Sequence, residues 1–347
     1  MYLCGPILKR ARVAELVDAR DLKSLGPQGR ASSILAASTT RFCYNSPMSL
    51  ADFLLERGAE LPPLFKSRFL MRLFSRLIPS SDRDTSFFTN LGIDSCLKVE
   101  LDKRRDFDPL LAFGKPIHHK HERGALYLCD ILFPLCDSFI DIGANYGIFS
   151  YFLSRREQRK PLFLFEPNPR LSKILLNSAL RNKKNNFIIK SEAVGSASGK
   201  LRFWLNWDDE SQSSLKQPSL SFRNCEEVEV DVISMDEFFT LNPKLVKSLV
   251  KVDIENAEFD FLAGARGSLG RISYLVMEVL LPAVQQGFIR KMISEQGFYA
   301  YYIDDFNLRF SKEGDFDYSP GQLNWLFCKL DPDLLAQTLK KSRFKVL

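Results

Sequence analysis

Carboxylates at the ends of short apolar runs are the residues here that could do chemistry. Asp141 lies at the end of Ser138–Ile142, Glu166 follows Pro161–Phe165, Asp253 ends Leu249–Asp253 with Glu255 two residues on, and Glu278 ends Ile272–Glu278. A positioned carboxylate can accept both hydroxyls of a ribose, or take the proton of an unreactive hydroxyl while orienting it. Gly143 and Gly147 enclose Ala144, Asn145 and Tyr146 after the first run. Without a Cβ at these positions a ligand can approach the backbone, and N–H groups around Tyr146 to Phe149 open the next helix. Glycines four apart do not make the G-x-G-x-x-G of a dinucleotide fold, which argues against a nicotinamide-dependent oxidoreductase. An acid just before the first glycine repels a pyrophosphate and suits a ligand with a cationic or amino-acid-like portion.

These groups can act together only if strands deliver them to one crevice. The pattern supplies such strands. Ser138–Ile142 reads as strand, glycine turn and helix, and Pro161–Phe165 is a second strand, followed by a helix Leu171–Arg181 admitted by Pro167 and Pro169. Phe187–Lys190 is a third strand, Leu249–Asp253 a fourth and Ile272–Glu278 a fifth. A helix is predicted over Pro282–Glu295, then a last antiparallel pair, Phe298–Ile303 and Asn324–Lys329, joined by a connection from Asp304 to Tyr318. Leu201–Leu205 and Val228–Val232 alternate and should pair beside the sheet, flanking a polar loop, 206–224. In a doubly wound sheet the fourth strand lies next to the first, so Asp253 and Glu255 should overhang the same crevice as Gly143. The fold class is α/β, Rossmann-like.

Phe139 to Gly147, with Phe165, Glu166, Pro167, Asn168 and Pro169, resembles the first two motifs of the FkbM family of S-adenosylmethionine-dependent methyltransferases. Glu192, Ala193, Val194 and Gly195 resemble its third-strand turn, Ser213, Ser214 and Leu215 its S-S-L segment, and Val252 to Glu258 its K-[IV]-D-[VI]-E-G-x-E motif. The resemblance implies a class I methyltransferase fold, a seven-stranded, mostly parallel sheet in the order 3-2-1-4-5-7-6 with an antiparallel edge strand, preceded by a small α+β segment. It implies S-adenosyl-L-methionine as cofactor and O-methylation of a hydroxyl on a sugar, glycan or related metabolite. A protein that holds the cofactor without catalysis, or a glycan-assembly partner, is the alternative. The cofactor contacts implied are Asp141, Gly143, Ala144, Asn145, Gly147, Glu166, Pro167, Asn168, Glu192, Ala193 and Asp253. Asp253 and Glu255 are the catalytic candidates, and no metal site is expected. Asn256 stands where the family usually has Gly; Asn tolerates left-handed backbone, so the turn can survive.

The 347 residues, 45% hydrophobic and 26% charged, are enough for one main domain with appendages. The net charge of +6 is dispersed, so a small-molecule or glycan acceptor is expected rather than a nucleic acid. Seven scattered cysteines without a C-x-x-C pair fit a reducing, cytoplasmic location. Residues 12–40 resemble the in-frame translation of a bacterial leucine transfer-RNA gene, so 1–47 read as a mistranslated or disordered leader with the true start at Met48. A substrate-facing cap is expected over 48–109, with two amphipathic helices in 49–79 that dock on the domain or touch a membrane surface, and a hairpin within 87–101. The methyltransferase domain is read as 110–330 and the remainder, 331–347, as a tail. His118, His119 and His121 are placed on a loop before the first sheet strand, with a solvated role favoured over a metal or a base.

Overall fold

The computed structural model describes residues 86–90, 98–102, 122–207, 213–215, 225–280, 283–284, 286–312 and 324–347. The leader, the helices expected in 49–79 and His118, His119 and His121 lie outside the described residues. Two short strands, β1 (Ser86–Asn90) and β2 (Lys98–Asp102), form the antiparallel hairpin expected before the domain.

The main sheet is built from apolar runs that bury both faces. Every residue of β3 (Ser138–Ile142), β4 (Leu162–Phe165) and β9 (Ser248–Val252) is buried, as parallel strands covered by helices require. Successive side chains serve opposite layers. Ile140, Ile142 and Val250 pack with Phe163, Phe238 and Phe261 on one face, while Phe139, Leu162 and Leu249 pack with Leu128, Phe152 and Leu335 on the other. Helices α1 (Arg123–Leu132), α2 (Ile148–Leu153) and α3 (Pro169–Arg181) contribute to the second layer. Helices α4 (Met235–Leu241), α5 (Glu258–Gly264) and α6 (Phe288–Ser294) contribute to the first. Each fully buried aromatic or aliphatic side chain adds about 1.5–3 kcal/mol, so the apolar runs locate the sheet.

With β5 (Phe187–Lys190), β10 (Ile272–Glu278), β11 (Tyr299–Asp304) and β13 (Asn324–Cys328), the strand order β5-β4-β3-β9-β10-β13-β11 is 3-2-1-4-5-7-6. β13 is antiparallel to both of its neighbours and lies one strand in from β11. The sheet then continues to nine strands through β12 (Asn307–Ser311) and β14 (Lys345–Val346). Asp305 takes φ 50°, closing a two-residue turn in which Asp304 pairs with Asn307, so part of the expected 304–318 connection is strand. The expected tail is likewise folded: α7 (Pro332–Leu339) returns Leu335, Leu339 and Phe344 to the core and delivers β14 alongside β12. A second sheet, β6 (Ala193–Val194), β8 (Cys225–Ile233) and β7 (Gly199–Asn206), realises the expected pairing with Leu201 opposite Val230.

Helix ends follow local chemistry. Asn168 caps α3 by accepting from the N–H groups of Arg170 and Leu171, with Pro169 in the first turn, an arrangement worth about 1 kcal/mol. Within the helix expected over Pro282–Glu295, residues 283 and 284 are helical and α6 starts at Phe288 after Gly287, which takes φ 80°. No helix among the described residues is long and apolar enough to cross a membrane.

Leu339 is 1% exposed in the second layer. Leu339→Ala should therefore lower the unfolding free energy by about 2–5 kcal/mol. Urea denaturation of the full chain measures this; an unchanged midpoint would make 331–347 an appendage.

Candidate functional site

The close approach of two loops defines the site. Gly143 follows β3 with φ 74°, and a Cβ there would lie 1.8 Å from the carbonyl oxygen of Asp253, which follows β9. Only glycine allows these loops to touch. Asp253 also donates its N–H to the carbonyl of Ile142 at 3.0 Å, so the ends of the two strands are joined. Beside this junction is a cavity of about 530 Å³.

Glu166 links the next pair of loops. Its carboxylate accepts from the N–H of Asn145 at 2.8 Å and of Asn168 at 2.9 Å, bridging the turns that follow β3 and β4. Burial raises its pKa to about 7, and these two N–H bonds and Lys251 work against that rise. Of the residues expected to hold the cofactor, Gly143, Ala144, Asn145, Glu166, Pro167, Glu192, Ala193 and Asp253 line the cavity, as does the catalytic candidate Glu255.

Asp141, Gly147 and Asn168 are not among the lining residues. Asp141 is 1% exposed and accepts from the Ser150 hydroxyl at 2.7 Å, tying β3 to α2. Its cross-strand partner in register is Lys251, and parallel pairing places both side chains on one face of the sheet. Gly147, at φ 75°, lets Leu175 approach, since a Cβ would meet Leu175 Cδ2 at 2.8 Å. Asn168 is fully buried as the α3 cap. These three hold the walls in place.

Lys251 and Glu122 were missed by the sequence reading. Lys251 is 7% exposed, with Nζ 3.1 Å from Asp253 Oδ2 and 5.1 Å from the centre of the Phe149 ring. Burial works against its ammonium, but Asp253, Asp141 and Glu122 outweigh it and hold its pKa above the ordinary lysine value. The available signal was a lysine inside an otherwise apolar strand. Glu122, just before α1, also lines the cavity.

Glu278 ends β10 beside Asp253, because Met277 pairs with Val252 one residue earlier. One oxygen from each of Asp253, Glu255 and Glu278 lies within 4.8 Å of the others, close enough for one cation to bridge. The Lys251 ammonium already sits on Asp253, so the cluster carries a positive charge of its own, and we assign no metal. Glu258, 2% exposed at the start of α5, accepts from the N–H of Leu280 and ties that helix to the end of β10.

Glu255 and Asn256 both take left-handed backbone, with φ 47° and 70°, and the Ser214 hydroxyl donates to the carbonyl of Glu255. The S-S-L segment thus braces the turn that presents Glu255. Asn256→Ala should cost about 1–2 kcal/mol, the left-handed penalty of a residue with a Cβ and no local side-chain bonding, whereas Asn256→Gly should be tolerated. Chemical denaturation of both variants reads this, and equal losses would refute it. Lys251→Met leaves buried carboxylates uncompensated and should cost about 3–5 kcal/mol. The loss should be larger at pH 8 than at pH 5, where those carboxylates can take up protons instead; a pH-independent loss would point to packing alone.

Comparison with known proteins adds identity to this geometry. A search of curated proteins finds no match. Three solved structures illustrate the structural neighbours: wild-type Trm5b from Pyrococcus abyssi (15% identity, 71% of this chain and 56% of that one, TM-score 0.32), TrmK from M. capricolum with S-adenosylhomocysteine (10%, 58% and 66%, 0.31) and TYW2 from P. horikoshii with MeSAdo (12%, 77% and 84%, 0.36). The chain spans less than two thirds of the length of the first two. Scores this low carry no argument, and the fold rests on the strand order itself. The profile described as methyltransferase FkbM domain matches residues 141–299, the stretch that holds Gly143, Glu166, Asp253, Glu255 and Glu278. Residues 141–299 thus match the methyltransferase FkbM domain, the family that the motifs around Gly143, Glu166 and Asp253 resemble.

Proposed function

We propose that this domain transfers a methyl group to a hydroxyl oxygen of a sugar, glycan or related metabolite, with Asp253 accepting the hydroxyl proton and Glu255 orienting the acceptor. The observation that carries this reading is the convergence of Asp253, Glu255 and Glu278 on a cavity that is also lined by the glycine turn after β3. S-adenosylmethionine, when bound, supplies an electrophilic methyl group on a positively charged sulfur.

The residues present fit that cofactor. Gly143 offers a backbone surface without a Cβ, and Glu166, fixed by two N–H groups, keeps lone pairs for a ribose diol. Asn145 Oδ1 is a buried acceptor without a partner at the cavity wall, which suits an N–H donor. Glu192 and Ala193 line the side that the family resemblance assigns to adenine.

A hydroxyl is a weak nucleophile, and a carboxylate within reach both orients it and takes its proton. Lys251 holds the Asp253 carboxyl through an ion pair at 3.1 Å and fixes it beside the glycine turn. Among the described lining residues, the carboxyl groups of Glu122, Glu166, Glu192, Asp253, Glu255 and Glu278 face the single ammonium of Lys251. This charge supports a neutral or cationic acceptor over a nucleic acid.

Calorimetric titration of the full chain should show binding of S-adenosylmethionine and none of NADH. Glu166→Ala should weaken that binding by about 1.5–3 kcal/mol, and unchanged affinity in a folded variant removes Glu166 from the site. Asp253→Asn should depress turnover more than cofactor affinity; equal losses would reduce it to a cofactor contact. Cofactor binding with no methyl transfer to any hydroxylated acceptor favours the non-catalytic reading.

A further inference from the structure

Glu278 has no role in the reaction as described so far, yet it occupies the most crowded position in the site. It stands at the end of β10, with Asp253 at the end of β9 on one side and, beyond it, Glu255 on the loop to α5. Its backbone pairs with Asn324 of β13, which brings no charge. Among the described residues the charged groups facing it are the carboxylates of Asp253 and Glu255 and the single ammonium of Lys251, whose Nζ is already 3.1 Å from Asp253 Oδ2. Two of these carboxyl groups in contact cannot both ionise without a cation to offset them.

We propose that Glu278 is the positioning residue for Asp253: the two share one proton in the ligand-free site, and the pair releases that proton when a cationic methyl donor enters. The inference rests on Asp253 being the proton acceptor. The geometry stands on the adjacent ends of β9 and β10 and on the clustering of all three acids, one oxygen of each within 4.8 Å of the others. The protonation state agrees with it. Burial first, then the charge of Asp253, its hydrogen bond and the charge of Glu255, push Glu278 up to about 9, against the opposing pull of Lys251. Glu278 therefore carries the shared proton at neutral pH, and Asp253 keeps its contact with the Lys251 ammonium.

A positive charge entering the cavity alters this balance in the same direction as a second lysine would. The proton leaves Glu278 for solvent, and Asp253 is no longer weakened as a base by a neighbour donating to it. When the new O–C bond forms and the electron pair of the broken C–S bond stays on sulfur, the acceptor hydroxyl proton passes to the Asp253–Glu278 pair. The pair then returns to its starting state as the neutral thioether product leaves. One proton is released per turnover, as methyl transfer from a sulfonium to a hydroxyl requires. The base is thus fully competent only while the donor is present.

The test is proton release, read independently of turnover. Full-chain protein is titrated with S-adenosylmethionine and, separately, with S-adenosylhomocysteine, in two buffers of different ionisation enthalpy at pH 8. At this pH Glu166, at about 7, is already ionised while Glu278, at about 9, is not. The two ligands share every ionisable group and differ in the charge on sulfur, so the difference in protons released isolates the effect of that charge. Wild type should release more with S-adenosylmethionine, by up to about one proton, and Glu278→Gln, which keeps a hydrogen-bond donor beside Asp253, should abolish the difference. Equal release for the two ligands in wild type, or a difference that persists in Glu278→Gln, overturns the proposal.

A second measurement keeps the proposal testable if Glu278→Gln binds poorly. A carboxyl whose folded pKa is raised stabilises the fold below its unfolded value and loses that contribution as pH rises through the folded one. The ligand-free unfolding midpoint should therefore fall between pH 5 and 9 in wild type and fall less in Glu278→Gln; parallel curves overturn the proposal. Failure of the proton-acceptor reading is seen separately, as an Asp253→Asn variant that turns over normally.

Discussion

Everything at this site depends on two backbone loops touching where β3 and β9 lie side by side. The contact is allowed by one missing Cβ, at Gly143, which faces the Asp253 carbonyl. A parallel sheet buried on both faces can place polar side chains only at its strand ends, and in a doubly wound order the connections diverge at this junction and leave a crevice. The steric condition at Gly143 therefore comes before any electrostatic one. It decides where a ligand can approach backbone, and it sets Asp253, Glu166 and Glu278 around a single cavity although they lie on three different strand ends.

The cavity then has to manage charge. Asp141, Lys251, Asp253 and Glu278 follow from register: Asp141 pairs with Lys251, Asp253 is two residues further along the same strand, and Glu278 is its neighbour on β10. Among the described residues one ammonium serves all of these carboxyl groups. Burying an unpaired charge costs several kcal/mol, so the arrangement holds only because some carboxyls remain protonated or are tied to backbone N–H groups. Burial pushes Asp141 above the ordinary carboxylate value, with Lys251 and the Ser150 hydroxyl opposing it. Glu166 is held by two N–H groups. A site with this surplus of acid favours a ligand that brings positive charge.

How much of this was visible in the sequence depended on whether a residue's role is local. The strand ends were legible, because apolar runs closing on an acid can be read residue by residue, whereas Asn168, expected as a cofactor contact, is the cap of a helix that starts two residues before the expected Leu171. Lys251 was hidden for the opposite reason. It sits within a run read as an apolar strand, and only the register with β3 shows that it faces Asp141. Asp141 looked like a ligand contact because it stands beside the glycine turn, yet the pleat turns it towards α2. β12 and β14 escaped notice because the turn at Asp305 requires a left-handed residue that no glycine announces, and because β14 pairs with a strand far away in sequence.

The same asymmetry explains the turn at Glu255 and Asn256. Left-handed backbone costs about 1–2 kcal/mol per residue that bears a Cβ, and two such residues in succession persist only if their surroundings over-determine them. Those surroundings are present. The Ser214 hydroxyl holds the Glu255 carbonyl from β7's side, the buried Glu258 fixes the start of α5 to the end of β10, and Gly143 receives the Asp253 carbonyl from below. Strain is thus concentrated at the residue that carries a carboxylate into the cavity, and it is offset by contacts to three separate elements. A glycine at position 256 would relax the backbone but would also free the turn, so Asn256 trades some local stability for a better-defined direction of Glu255.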